Sequence, residues 1–374
     1  MQAAVEGSVV RGGTSKGVFF RRRDLPPDES AWDEVLLDLF GSPDPMQIDG
    51  IGGSHSVTSK TIIAWNDPDV DADVSYQFGQ VGIEKPVVDW GGNCGNLTFG
   101  VGPFALEANI ATPEDPLVLR NTNTGTTVEQ EVRTDDRGEP VYTGDFDVDG
   151  IPGTGSRIRS RFLDPAGTET GELFPTGNRV DTMDVPGLGE IEVSLVDVSN
   201  PVVFVRAEDV GMQGGETPTE IDDSPARETL ERVRSVACEW LGLVDDASEA
   251  TERSPGLPKV GYVGEPSAFE TSFGETVPTE EFDVLARVMS MQKAHHAYPV
   301  TGGMCTAATA MLQGTVPYEQ TWDEDPGDRS EVTIGHPKGT MTVGVGIGDR
   351  VEYTRVDRTA REIMAGDIYY ERSP

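Results

Sequence analysis

Four glycine-rich segments hold most of the residues in this chain that could do chemistry. The first is Arg11-Gly12-Gly13-Thr14-Ser15-Lys16-Gly17. Glycines let backbone N–H groups approach a ligand closely, and Thr14 and Ser15 add hydroxyl donors, a combination suited to a carboxylate. It is not a P-loop, because the glycine-to-lysine spacing is wrong and no hydroxyl follows the lysine. An ordinary tight turn is the competing reading. The second segment runs from Gly50 to Lys60 and leads into Thr61-Ile62-Ile63-Ala64-Trp65. A lysine held beside an apolar strand is partly desolvated, which lowers an ammonium pKa and frees a neutral amine to act as a base. The plainer alternative is a surface lysine at the start of a strand.

The third and fourth segments echo one another. Gly91-Gly92-Asn93-Cys94 and Gly302-Gly303-Met304-Cys305 are each followed by small and apolar residues able to form a buried helix. A cysteine at a helix N-terminus faces free N–H groups and the positive end of the dipole, which favour both the thiolate and a bound carboxylate. For either segment alone, a small residue chosen for close packing explains as much. The pairing, with the cysteines a little over half the chain apart, predicts two similar halves, each led by glycines into a central helix. Coincidence in a glycine-rich chain is the competing account. Two such helix ends facing each other across an interdomain cleft would hold a dicarboxylate at both termini.

Elements to position these residues can be read from periodicity. Ser30 and Asp33 suggest a capping box, with Trp32, Val35, Leu36 and Leu39 on one helical face and Gly41 as the stop. A second helix starts at Ser224-Pro225 and carries Cys238 as a buried structural thiol. A third is predicted from Thr279, with Phe282, Leu285, Val288 and Met289 as its stripe. Ile191, Val193 and Leu195 alternate with polar residues as in a strand. Residues 202–205, 341–347 and 351–355 read as further strands, the last two joined by a turn at Gly348-Asp349. Many β segments and few helices imply an α+β fold, not a doubly wound sheet.

The 374 residues suffice for two domains, and 36% hydrophobic content with 44 glycines suits a loop-rich folded chain. No apolar run is long enough for a membrane span and no secretory signal opens the sequence, so cytoplasmic residence is the expectation. The three cysteines, Cys94, Cys238 and Cys305, are widely spaced and read as reduced thiols, and no Cys/His cluster suggests zinc. The net charge is −36, from 65 acidic and 29 basic residues. This repels nucleic acid and anionic membranes. Only six of the basic residues are lysines. Scattered acid with scarce lysine points to a high-salt habitat, where salt screens the repulsion. Reversible loss of structure at low salt would support that reading, and full stability in dilute buffer would refute it. A carboxylate-binding pocket in so acidic a protein must gather positive potential locally, from lysines and helix N-termini.

Several stretches together resemble the PrpF family of isomerases. These are Arg11 to Phe20, Gly52 to Lys60, Asp89 to Asn96, Ser199-Asn200-Pro201, Pro258 to Gly261, His296 to Gly302 and Arg358 to Arg361, in order along nearly the whole chain. The resemblance implies a diaminopimelate-epimerase-like fold of two pseudo-symmetric domains, each a β-barrel-like sheet around a central helix. The domains expected are 1–187 and 188–359, with a segment of about 360–374 returning to the first. The family includes 2-methylaconitate cis-trans isomerase, methylitaconate Δ-isomerase and 4-oxalomesaconate tautomerase, placing it in propanoate-type acid metabolism. It implies a small unsaturated di- or tricarboxylate as partner and no metal or organic cofactor. A homodimer is the candidate assembly.

By motif, the resemblance assigns catalysis to Ser15, Lys60 and Cys94. Lys60, as neutral amine, would remove a proton next to a conjugated alkene or ketone, and Lys60 or Cys94 would return one a double bond away. The substrate-lining set is Thr14, Ser54, Asn93, Gly95 and Asn96 in the first half, and Gly302, Gly303, Cys305, Thr306 and Lys338 in the second. Lys338 adds charge for a further carboxylate or is simply a loop lysine. Two alternatives stay open. One is a racemase or epimerase using Cys94 and Cys305. The other is a non-catalytic accessory protein of a 2-methylcitrate dehydratase.

Overall fold

A computed structural model describes residues 2–322 and 327–371. The chain forms two compact units, the first made of residues 1–163 and 357–374 and the second of residues 164–356. The sequence reading drew these lines after residue 187 and residue 359. Residues 164–187 instead belong with the second unit, because residues 181–185 form a hairpin with the strand that follows.

The first unit contains strands β1 (Gln2–Gly12), β2 (Ser15–Arg21), β3 (Lys60–Trp65), β4 (Val74–Val81), β5 (Val88–Asp89), β6 (Leu117–Asn121), β7 (Thr127–Glu131) and β8 (Ile158–Leu163), with helices α1 (Trp32–Phe40) and α2 (Gly95–Glu107). The second contains β9 (Asp181–Val185), β10 (Gly189–Val198), β11 (Asn200–Arg206), β12 (Lys259–Gly264), β13 (Val284–Ser290), β14 (Lys293–Ala294), β15 (Glu331–His336), β16 (Gly339–Ile347) and β17 (Val351–Arg358), with α3 (Ala226–Trp240) and α4 (Val300–Ala310). The chain then returns to the first unit as β18 (Ala360–Glu371).

Both units follow one plan. In the first, strands lie in the order β18-β1-β2-β3-β4-β6-β7-β8, antiparallel except for the parallel pairs β2/β3 and β4/β6. In the second, the order is β9-β10-β11-β12-β13-β15-β16-β17, with parallel pairs β11/β12 and β13/β15 at the corresponding places. A two-residue strand hangs on the fifth strand of each, β5 on β4 and β14 on β13, just before the central helix. The internal repeat read from the cysteine segments is therefore structural.

The central helices are apolar all round, so neither has a face for water. Every residue from Gly95 to Leu106, and every residue of α4, is buried. The outer helices α1 and α3 are amphipathic and cover the other side of their sheets. Trp32, Val35, Leu36, Leu39 and Phe40 pack with Val18, Phe20 and Ile63. Leu230, Val233 and Ala237 pack with Val203, Val205, Val260 and Tyr262. At roughly 1.5–3 kcal/mol for each fully buried large side chain, these layers help hold the strands in register.

Two expectations fail for local reasons. The helix predicted from Thr279 is a single 3-10 turn followed by β13, whose residues Val284 to Met289 are all buried. A strand covered on both faces gives a continuous apolar run, in which a helical stripe can be found by chance. The capping box at Ser30 does not form either. Asp28 accepts hydrogen bonds from the Ser30 N–H at 3.0 Å and its hydroxyl at 2.7 Å, which starts the chain as a 3-10 turn. The Gly41 stop is present in a left-handed conformation, φ 72°, which glycine adopts without strain. Cys238 lies inside α3, buried, as expected.

Candidate active site

Topology brings the first unit's chemistry to one end of α2. Ser15 opens β2, Lys60 opens β3 and Cys94 is the N-cap residue of α2. Lys60 Nζ lies 3.1 Å from Cys94 Sγ, and Cys94 Sγ lies 3.8 Å from Ser15 Oγ. Ser15 and Cys94 are buried, while Lys60 is half-buried with its ammonium 5.8 Å above the Phe78 ring. Burial alone pushes a thiol up. The Lys60 charge, the Leu97 N–H and hydrogen bonds with Lys60 and Ser15 outweigh it, and Cys94 sits below the ordinary thiol value. The arrangement sets a depressed thiol against a lysine amine at a helix N-terminus, a pair able to take and return a proton beside donors that stabilise negative charge.

The supports of this triad are specific. The Lys16 N–H donates to Val57 O at 2.9 Å, tying the loop before Lys60 to β2. Gln80 Nε2 donates to Ser59 O at 2.7 Å, and the buried Ser59 hydroxyl donates to Val81 O at 3.0 Å. Asn96 Oδ1 accepts the Thr14 N–H at 3.1 Å, which fixes the Gly13-Thr14 turn on the first turn of α2. Gly13 has φ +48°, and a Cβ there would collide with the Asn96 side chain. Asn93 Oδ1 accepts from Asn121 Nδ2 at 2.8 Å, and the same amide donates to the Tyr76 hydroxyl at 3.2 Å. Burial raises Tyr76 to about 12, so it stays neutral. Asn121 and Tyr76 escaped the sequence reading, since neither lies in a glycine-rich segment.

Among the predicted substrate-lining residues, Thr14, Asn93, Gly95 and Asn96 gather at the α2 N-terminus. The Thr14 hydroxyl is buried with no partner among the described residues. Ser54 turns away, with φ +60°, donating its hydroxyl to Met46 O at 2.7 Å. It holds a loop and makes no described contact with the triad.

The second unit departs from the sequence reading. Gly302 and Gly303 lie within α4, whose N-cap is Pro299, and Cys305 falls in the second turn. A Cβ on Gly303 would run into Met341 of β16, so that glycine serves close packing. Cys305 is fully buried, donates to Val196 O at 3.4 Å and contacts Thr309 Oγ1 at 3.9 Å. Burial raises its thiol to about 12. Far from the free N–H groups of the helix start, it is a neutral packing residue. Thr306 Oγ1 is buried, bonded to Gly302 O at 2.8 Å and to the Tyr298 hydroxyl at 2.9 Å. Lys338 stands in the turn between β15 and β16 with its ammonium 5.1 Å over the exposed Phe273 ring. The second unit has its own lysine at the place of Lys60: Lys259, first residue of β12. Asn200 corresponds to Ser15, as first residue of β11.

Among the described residues, no group of three or more His, Cys, Asp or Glu is placed to hold a metal ion, and no helix is long and apolar enough to cross a membrane.

The chain is similar to known proteins over nearly its whole length. The profile of the PrpF protein family matches residues 2–371. The 3-methylitaconate isomerase of Eubacterium barkeri is 41% identical over 371 residues, covering 98% of this chain and 97% of that protein. The 2-methyl-aconitate isomerase of Shewanella oneidensis is 38% identical, covering 98% and 97%. A crystal structure of methylitaconate-delta-isomerase superposes with a TM-score of 0.86 at 40% identity, covering 99% of this chain and 96% of that one. A hydroxyproline epimerase from Agrobacterium vitis, at 13% identity, TM-score 0.52 and coverage of 98% and 92%, shares the fold alone.

Proposed function

The chain belongs to the PrpF family, and from that membership we propose that it is an isomerase moving a proton and a double bond within a small unsaturated di- or tricarboxylic acid of the methylitaconate or 2-methylaconitate type. The observation that carries the proposal is the 3.1 Å contact between Lys60 Nζ and a Cys94 thiol held below its ordinary value at the start of a buried helix. A proton on a carbon next to a conjugated alkene and carboxylate is removed by the Cys94 thiolate, forming an S–H bond as the C–H bond breaks. The electron pair spreads into a dienolate. Its negative charge is met by the Lys60 ammonium, the free N–H groups of the first turn of α2 and the Ser15 hydroxyl. The thiol or Lys60 returns a proton one double bond away. The sequence reading gave the base role to Lys60; the depressed thiol beside it supports Cys94 as the base, with Lys60 as its proton partner.

The racemase alternative needs a second cysteine able to ionise, and Cys305, buried and raised to about 12, does not supply one. A pure binding role leaves the depressed thiol without a use.

The test is incubation of the protein in concentrated salt and D2O with methylitaconate and 2-methylaconitate, following ultraviolet absorbance and NMR. Deuterium should enter the allylic positions as the double bond moves, and Lys60→Ala should abolish both signals. Deuterium gained at Cα of proline-type amino acids, with none in any unsaturated acid, would sink the proposal.

A further inference from the structure

The acidity of the chain posed a question: where does a pocket for a polycarboxylate find its positive charge? The sequence directs attention to six lysines, yet arginines also stand beside the Gly13-Thr14 turn. The Gly13 N–H donates to Thr359 O at 3.0 Å, and Arg11 Nη1 donates to the same oxygen at 2.7 Å. Arg11 stands directly opposite Arg361 in the β1/β18 pairing, and Gly12 opposite Ala360. Arg358 is one residue before Thr359. Two arginines thus face each other beside this turn, and a third precedes the residue whose carbonyl holds it, in a protein of net charge −36.

Arg358 differs from the other two. It is only 9% exposed, and its Nε has no partner among the described residues. Its Nη1 donates to Asp357 O at 2.9 Å. The adjacent Asp357 carboxylate is taken up by Arg159, which donates to both oxygens at 2.9 Å. Burial pulls the Arg358 guanidinium down to about 10, against the attraction of Asp149 and Asp357. A buried guanidinium with an unmade hydrogen bond costs several times what a neutral donor would, and that cost is recovered when an anion supplies the missing acceptor. On the other side of the Gly13–Thr359 hydrogen bond, Thr14 presents the second buried, unpartnered group of the turn, its hydroxyl. Ser15 of the triad follows immediately. Two orphaned donors are therefore carried by the chain neighbours of one backbone hydrogen bond, and Thr14 adjoins Ser15 of the triad.

We propose that Arg358, with the Thr14 hydroxyl, anchors a second substrate carboxylate, distinct from the one met by Lys60 and the α2 N-terminus. Arg358 is then a specificity-determining residue: it selects acids carrying at least two carboxylates, and its planar fork suits the carboxylate plane. The inference rests on the proposed function only in taking the ligand to be a small polycarboxylic acid.

Glutarate and its monomethyl ester separate the two carboxylates without any turnover. Calorimetry on the whole chain should find that wild type prefers glutarate. In Arg358→Gln the preference should fall roughly tenfold or more, toward parity, the loss expected of one charge-assisted contact. Arg358→Lys should restore part of it, and Thr14→Val should reduce it by about threefold. With a turned-over substrate, KM should rise more than kcat falls. An unchanged glutarate-to-ester ratio in Arg358→Gln overturns the proposal, as does an equal loss of both ligands, which marks a structural arginine. If Arg358→Gln does not fold, the ratio in Thr14→Val decides, and no change there overturns it. Failure of deuterium exchange with the glutarate preference intact removes the isomerase reading and leaves the anchor. Exchange without the preference removes the anchor alone.

Discussion

The two units place a cysteine near the start of the same central helix, and the two thiols have opposite character. Cys94 is the N-cap of α2, with Lys60 against it. Cys305 lies within the second turn of α4, past its Pro299 N-cap, with its sulfur against Val196 O. One turn is the distance over which free N–H groups give way to hydrogen-bonded backbone. The difference teaches that the fold supplies a place, not a chemistry: the same strand order makes a depressed thiol in one unit and a raised one in the other. Which it becomes depends on whether the sulfur sits at the cap or within the helix: Lys259 also draws the Cys305 thiol down, and burial outweighs it.

The strongest test of that contrast removes the lysine. Lys60→Ala should lower kcat/KM by about 10³-fold or more, since it removes both the proton partner and the main stabiliser of charge. Next, Cys94→Ala should cost about 10²–10⁴-fold in kcat. Cys305→Ala should change kcat by less than about fivefold while lowering stability by about 1–2 kcal/mol in denaturant titration. A large kcat loss in Cys305→Ala would erase the distinction between the two thiols. The pH profile sharpens it further. The active form is the Cys94 thiolate, so kcat/KM should fall as pH drops through its depressed pKa, with the acidic limb below the usual thiol value of 9.0. Replacing Lys60 with Met should move that limb upward in whatever activity remains. The smallest signal is selective labelling. Near neutral pH, iodoacetamide should modify Cys94 well before Cys238 or Cys305, and all three only after unfolding.

Much of this site was legible because its parts are local. Arg11 to Gly17, Gly50 to Lys60 and Gly91 to Asn96 each carry their own glycines and hydrogen-bonding residues, and a short motif survives as a short structure. Strand alternation at Ile191, Val193 and Leu195 was equally direct. What escaped was set by distant packing. Helical spacing from Phe282 to Met289 cannot be told from a strand buried on both faces without knowing that β12 and β15 flank it. The cysteine echo pointed to the duplicated plan but not to its register, because the start of α4 depends on Pro299 rather than on the glycines. Arg358 was visible as part of a motif, but its buried, half-bonded state arises from partners spread over the chain.

The return of the chain to its first unit bears on the order in which the protein can be made. β18 pairs with β1 along its whole length, and Thr359 supplies the carbonyl that fixes Gly13. On a ribosome, residues 2–163 emerge with that strand position empty, and the second unit is synthesised in full before residues 357–371 arrive to fill it. The Gly13-Thr14 turn is therefore among the last parts to acquire its final shape, and a chain halted before residue 357 should bind no ligand even where its second unit has folded.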